Sequence, residues 1–186
     1  LNLTDTVMIG NLGELYLASV GIANQYFFFF TLMLFGVNAG CSIFISQFWG
    51  KKDETNIKKT TALAITFSIV IAIIFTLGAL LFSDSIISIF NSDKSILQTG
   101  GEYLKIVAFS YLFTAISISF AFSLRSTENT FIPMVGSIIA LLINVVLNYI
   151  LIFGKFGFPA MGVKGAAIAT VIARTVETIM ILLYVY

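Results

Sequence analysis

From Leu15 to Gly50 the chain carries no charged side chain. At ~1.5 Å per residue, a helix of that length reaches about 54 Å, more than the roughly 30 Å hydrocarbon core of a bilayer. Three further runs are equally free of charge: Thr60 to Phe82, Ile106 to Leu124 and Asn129 to Gly154. In water, such runs need a polar shell around them. The composition does not supply one, since 59% of residues are hydrophobic, 10% are charged, and the mean hydropathy is +1.03. Disorder requires the opposite balance, and barrel strands are shorter than these runs. The class that remains is an all-α polytopic membrane protein.

The same figures exclude several functions. A net charge of +1 gives no basic field for nucleic acid. Histidine is absent, which removes His-based zinc sites and triads with a His base. The single cysteine, Cys41, can form neither an internal disulfide nor a thiolate metal site. It sits in Gly40-Cys41-Ser42 and reads as a small packing residue. With no clustered acid, base or metal set, the chain is expected not to be an enzyme and to need no cofactor.

Charges and turn residues divide the sequence into spans. They predict a partial helix over about residues 1–10 and full helices over about 14–49, 57–82, 100–125, 132–154 and 163–186. Ser83 to Gly101 reads as a polar stretch whose apolar piece, Ile86 to Phe90, is too short to span. The turns at 51–59 and 125–130 hold Lys51, Lys52, Lys58, Lys59 and Arg125; those at the other end hold Lys94, Lys155 and Lys164. This bias predicts that the 51–59 and 125–130 turns are cytoplasmic, in a multi-pass protein of the cell membrane. The chain starts at Leu1 without Met and stops in mid-pattern, so it is expected to be a fragment of a longer protein.

Polar side chains inside such spans ask for a reason. Asp5 lies about 8 Å below Gly10, counted along a helix. Asn144 and Asn148 are four apart and share a helix face. They lie about 15 and 9 Å from Gly154, and Thr170 lies about 12 Å from Gly162. All four depths are counted from the same side of the membrane, so the four residues can meet at one level. A carboxyl, two amide oxygens and a hydroxyl make a pocket that suits a proton or a hard monovalent cation such as sodium. The two asparagines can equally serve as hydrogen-bonded links between helices. Arg174 and Glu177, three apart, are expected to form a structural ion pair facing the bundle. Asn24, Gln25, Ser110, Thr114 and Ser117 are candidates for the wall of a wet substrate cavity, although Ser and Thr can also bond back to their own helix. Gly36 and Gly40 form a small-xxx-small pair that predicts a packing face.

Several motifs carry a family resemblance. Asp5-Thr-Val-Met-Ile-Gly10-Asn-Leu-Gly13 followed by Leu17-Ala-Ser-Val-Gly21 resembles the first and second helices of multidrug and toxic compound extrusion (MATE) transporters. Ser46-Gln47-Phe48-Trp49-Gly50-Lys51-Lys52-Asp53 is similar to the family's signature at the inner end of helix two. Leu124-Arg125-Ser126-Thr127-Glu128-Asn129-Thr130 with Pro133-Met134 resembles its fourth-to-fifth turn. Asn144-Val-Val-Leu-Asn148-Tyr149, then Gly154, Pro159 and Gly162-Val-Lys-Gly165-Ala-Ala-Ile-Ala-Thr170, resembles helices five and six.

The resemblance implies a transporter of twelve helices in two six-helix lobes, of which this chain is most of the first. It implies export of organic, often cationic, compounds by alternating access in exchange for protons or sodium. The implied partners are the lipid bilayer, small organic cations and a second lobe of the same chain. By resemblance Asp5 matches the acidic residue of helix one, and Asn144 and Thr170 match cation-site positions. Asn148 departs from members that carry Asp there, which leaves one carboxyl fewer. The rival readings are a lipid-linked oligosaccharide flippase of the same superfamily, a membrane-embedded enzyme and a non-transporting structural membrane subunit. A flippase calls for a more cationic cavity, for which Arg174 is the candidate.

Overall fold

The computed structural model describes residues 2–185, and within them the ordered elements are all helices. In chain order they are α1 (Asn2–Gly10), α2 (Glu14–Gly50), α3 (Glu54–Ser88), α4 (Lys94–Val107), α5 (Phe109–Ser126), α6 (Phe131–Phe153) and α7 (Val163–Val185). Helices α2, α3, α6 and α7 are long and apolar enough to cross a membrane, and the bent pair α4–α5 makes a fifth span. The helices run alternately up and down. One end of the bundle carries Lys51, Lys52, Lys58, Lys59 and Arg125 and is called the basic end here. The loops 11–13, 89–93 and 154–162 lie at the opposite end.

Capping explains where the helices begin. Asp53 accepts hydrogen bonds from the Asn56 backbone N–H (3.1 Å) and from Asn56 Nδ2 (2.6 Å), which starts α3 just after the basic turn. Asp53 is half-buried at the loop, and these bonds hold its carboxyl below the usual carboxylate range. Asp93 accepts from the Ser95 backbone N–H (2.8 Å) and starts α4. Gly154 ends α6 in the left-handed conformation, with φ of 66°. A Cβ there would also lie 2.6 Å from the Ala160 nitrogen, so glycine is required twice over.

Two sequence expectations are corrected. Helix α3 does not stop at Phe82. It bends there (φ −125°, ψ 24°) and continues to Ser88, because Ile87 is buried against Gly100 of α4, where the missing side chain admits it. The single helix expected over 100–125 is two helices, α4 from Lys94 and α5 to Ser126, bent by 50° around Ala108. Neither proline nor glycine marks the break. Its carbonyl takes a hydrogen bond from Thr76 Oγ1 of α3 (3.2 Å), and Ser110 Oγ bonds back to the Val107 carbonyl (2.6 Å). Side-chain oxygens drawn into a helix ladder in this way bend it.

The core lies between α2, α3 and the α4–α5 pair. Tyr111 stacks on Phe30 with ring centroids 4.7 Å apart, and Phe75 and Phe27 close around them. The Phe27–Phe30 run is therefore divided: Phe30 is buried, while Phe28 and Phe29 face outward among exposed Leu32, Phe67, Ile74 and Leu142. Gly36 and Gly40 meet nothing that a Cβ would touch. The packing face expected for them is not used within this lobe. With Cys41, Phe44 and Phe67 they line an open apolar groove.

Candidate functional site

Helices α1, α6 and α7 meet near the end opposite the basic one, and their shared polar residues form a closed network. Asn148 Nδ2 donates to Asp5 Oδ1 (2.6 Å), and Thr170 Oγ1 donates to Asp5 Oδ2 (2.7 Å). Asn148 Nδ2 also reaches Asn144 Oδ1 (3.3 Å), and Asn144 Nδ2 donates to Thr170 Oγ1 (3.3 Å). Asp5, Asn144 and Asn148 are fully buried, and Thr170 is nearly so. The structure thus brings together all four residues that helix depth placed at one level.

Local packing explains the precision. Gly165 on α7 lies so close to α6 that a Cβ would sit 2.7 Å from the Leu151 carbonyl carbon and oxygen. The loop is tied back by Met161 N–H to Leu151 O (2.9 Å) and Gly162 N–H to Ile152 O (3.3 Å). This fixes Thr170 against the Asn144–Asn148 face of α6.

The charge is the telling feature. Among the described residues the hydrogen bonds to Asp5 come from neutral donors, and no side-chain cation pairs with it. A buried carboxylate without a counter-charge is costly. The network also leaves one buried acceptor, Asn148 Oδ1, without a hydrogen-bond partner. No group of three or more His, Cys, Asp or Glu gathers among the described residues. One acid with uncharged oxygen neighbours suits a single positive charge, either a proton on Asp5 or a monovalent cation among these oxygens.

A second acid sits two helical turns toward the basic end. Arg174 Nη1 donates to Glu177 Oε2 (2.9 Å), and Ser137 Oγ of α6 donates to Glu177 Oε1 (2.8 Å). This pair, with Phe35, Ser117 and Arg125, lines a cavity of about 120 Å³.

The remaining cavity candidates divide. Ser110 and Thr114 are fully enclosed and bond back to the Val107 and Ser110 carbonyls (2.6 and 2.9 Å), so they wall no wet space in this lobe, which corrects that expectation. Ser117 also bonds back, to Thr114 O (3.1 Å), yet borders the cavity beside Arg174. Asn24 is half-buried and Gln25 exposed along α2. Sequence reading missed a third polar knot. Asn38 Nδ2 of α2 donates to Ser68 Oγ of α3 (3.0 Å), and Ser119 Oγ of α5 also bonds it (2.9 Å). The available signal was an asparagine in the middle of an uncharged run.

Comparison with known proteins adds the family context. The MatE family model matches residues 1–150. A probable multidrug resistance protein NorM of Thermotoga maritima is 32% identical over 94% of this chain, which is 38% of its own length. A probable multidrug resistance protein YoeA of Bacillus subtilis is 28% identical over 89% of this chain and 36% of its own. Among solved structures, the inward-facing conformation of a multidrug resistance MATE family transporter of the MOP superfamily shares the fold, with a TM-score of 0.91 at 22% identity. It covers all of this chain and 41% of that one. The chain therefore spans about two fifths of the length of the relatives it matches.

Proposed function

Because this chain belongs to the MatE family, a family of multi-pass membrane transporters, we propose that it forms the first lobe of a cation-coupled exporter of organic, often cationic, compounds. The observation that carries this reading is Asp5, buried among neutral donors with no side-chain counter-charge among the described residues. A second lobe of the same chain completes the transport route.

The mechanism follows from charge balance. In one state Asp5 holds a proton or sodium, with Asn144, Asn148 and Thr170 supplying oxygens around it. In the other state the charge has left, and Asn148 and Thr170 alone donate to the carboxylate, with Asn144 behind them. The two states differ by one buried charge at the α1–α6–α7 junction. Any difference in how the two open forms solvate that charge becomes a bias between them. The ion drives the cycle only through that differential affinity. The basic end faces the cytoplasm in this reading, so the Asp5 site lies in the outer half of the membrane.

The flippase rival calls for a more cationic cavity, and Arg174, the residue the sequence offered for it, is engaged with Glu177. The test uses the full-length transporter in liposomes under an imposed proton or sodium gradient. Export of a cationic dye by Asp5→Asn is expected to fall at least tenfold, with the protein still folded and inserted. Export at the wild-type rate under either gradient overturns the role given to Asp5.

A further inference from the structure

Helices α6 and α7 run antiparallel in one register, and that register repeats. Asn144 faces Thr170 near one end; seven residues away on each helix, Ser137 faces Glu177. Seven residues make two turns, so the rungs stand about 10 Å apart. The first rung belongs to the Asp5 site. The second borders its own cavity of about 120 Å³, whose far wall is Phe35, Ile118 and Phe122 from α2 and α5.

The hydrogen-bonding capacity of this cavity is lopsided. Both carboxylate oxygens of Glu177 are already engaged, one by Ser137 and one by Arg174. A guanidinium has five N–H donors, and the Arg174 group directs one hydrogen bond to a protein acceptor, Glu177 Oε2. Arg125, at the mouth of the cavity on the last turn of α5, enters no ion pair among the described residues. Two guanidinium groups against one carboxylate leave the pocket with one net positive charge. Its unspent charge lies on donors, Arg125 and the free edge of Arg174. Opposite the donors stands an aromatic wall, where Phe35 and Phe122 meet edge to face at 5.3 Å.

We infer that this pocket between α2, α5, α6 and α7 binds the anionic head of an amphipathic compound, a carboxylate or phosphate on an apolar or aromatic body. The head bonds to Arg125 and the free edge of Arg174, and the body lies against Phe35, Ile118 and Phe122. A planar guanidinium matches a carboxylate or phosphate in a two-pronged contact. An organic cation meets two like charges here, and the one carboxylate is already paired with Arg174. Arg125 sits at the end of its helix, while Glu177 lies about 12 Å from the end of α7, so the head enters at the membrane interface and the body reaches inward. Such a pocket extends the export reading from cations to anions and zwitterions. Of that reading, it requires only that this face of the lobe borders the transport route.

The test is equilibrium binding to the full-length transporter in phosphatidylcholine nanodiscs, with empty discs as the blank. The probes are benzoate, benzamide and benzylammonium, which share a ring and differ in head charge. Benzoate is expected to bind at least tenfold tighter than either of the others. Arg125→Gln should weaken benzoate at least fivefold and leave benzamide unchanged. Ser117→Leu, which fills the cavity with every charge intact, should weaken both benzoate and benzamide. The pair Arg174→Gln with Glu177→Gln removes both charges of the ion pair together and keeps Arg125, so it should reduce the preference for benzoate about threefold without abolishing it or leaving a lone buried charge.

Repeating the titration with phosphatidylglycerol in the discs identifies the source of the head. Competition seen in the wild type and lost in Arg125→Gln assigns it to a lipid phosphate. An unchanged benzoate-to-benzamide ratio assigns it to a soluble anion. Equal binding of benzoate and benzamide by the wild type overturns the inference, as does benzoate affinity within twofold of wild type in both Arg125→Gln and Ser117→Leu. No gradient is applied, so the outcome is independent of whether Asp5 couples export.

Discussion

The seam between α6 and α7 buries two acids in one register, and it treats them in opposite ways. Glu177 has its cation built into the chain, one turn back at Arg174, with Ser137 filling the other oxygen. Asp5 has Asn148 and Thr170 and, among the described residues, no side-chain cation. The first arrangement is neutral as it stands and has no need of an ion. The second is complete only when a positive charge arrives from outside. The lesson is that a buried acid can serve as structure or as a docking point for an ion, and the difference lies in whether the fold supplies the counter-charge.

Removing one member of the built-in pair gives the largest effect on stability. Arg174→Ala leaves Glu177 buried without its partner and should destabilise the lobe by about 3–5 kcal/mol. Replacing both, as Arg174→Met with Glu177→Leu, should recover most of that loss. Thermal melting of the full-length protein in detergent compares the two. Equal losses in the single and double variants would mean that the pair is not a self-contained neutral unit.

Next in size is Gly165→Ala, which drives a methyl into the Leu151 carbonyl at 2.7 Å. Overpacking of this kind costs about 1–3 kcal/mol, and it should part α6 from α7 beside Thr170. The comparison is sharpened if cation dependence of transport weakens along with the melting temperature, since the Asp5 network depends on that close approach.

Asn148→Leu follows. It removes the amide from Asp5 Oδ1 and leaves that oxygen unsatisfied, at a cost of about 1–3 kcal/mol. The variant should also need a higher sodium concentration for half-maximal export, because Asn148 Oδ1, one of the site's uncharged ligand atoms, goes with it.

The degree to which sequence disclosed this layout varies by region. Asp5, Asn144, Asn148 and Thr170 could be grouped because each depth can be counted from a loop glycine, and helix geometry turns a count into a level. Arg174 and Glu177 were legible as a pair because three residues separate them on one helix. Ser137 was harder to see. Its partner is 40 residues away, and only the antiparallel register of α6 and α7 brings them together. The break at Ala108 was invisible for a related reason: the group that stabilises it, Thr76, lies on another helix. Ser110 and Thr114 read as cavity residues because composition cannot tell a hydroxyl bonded to its own helix from one facing water. Gly36 and Gly40 read as a packing face because the pattern records small size, not what lies opposite.

The smallest effect concerns the basic end. Asp53 caps α3, and its carboxyl is held below the usual range by the Asn56 hydrogen bonds. A lowered value in the folded state means that the cap's contribution is present in full above the ordinary carboxylate range. It is lost as pH falls through the lowered value. Asp53→Ala should lower the melting temperature slightly at neutral pH and make no difference in strong acid. A difference that persists unchanged into strong acid would assign the effect to something other than the cap.

The contrast between the two acids is tested most directly by counting the cations that the purified full-length transporter binds. Radiolabelled sodium uptake and proton release on substrate addition, measured side by side, give that number for the wild type, Asp5→Asn and Glu177→Gln. The expected result is the loss of one bound positive charge in Asp5→Asn and an unchanged count in Glu177→Gln. An unchanged count in Asp5→Asn, with the loss appearing in Glu177→Gln, would contradict the assignment and make the paired acid the ion's true station.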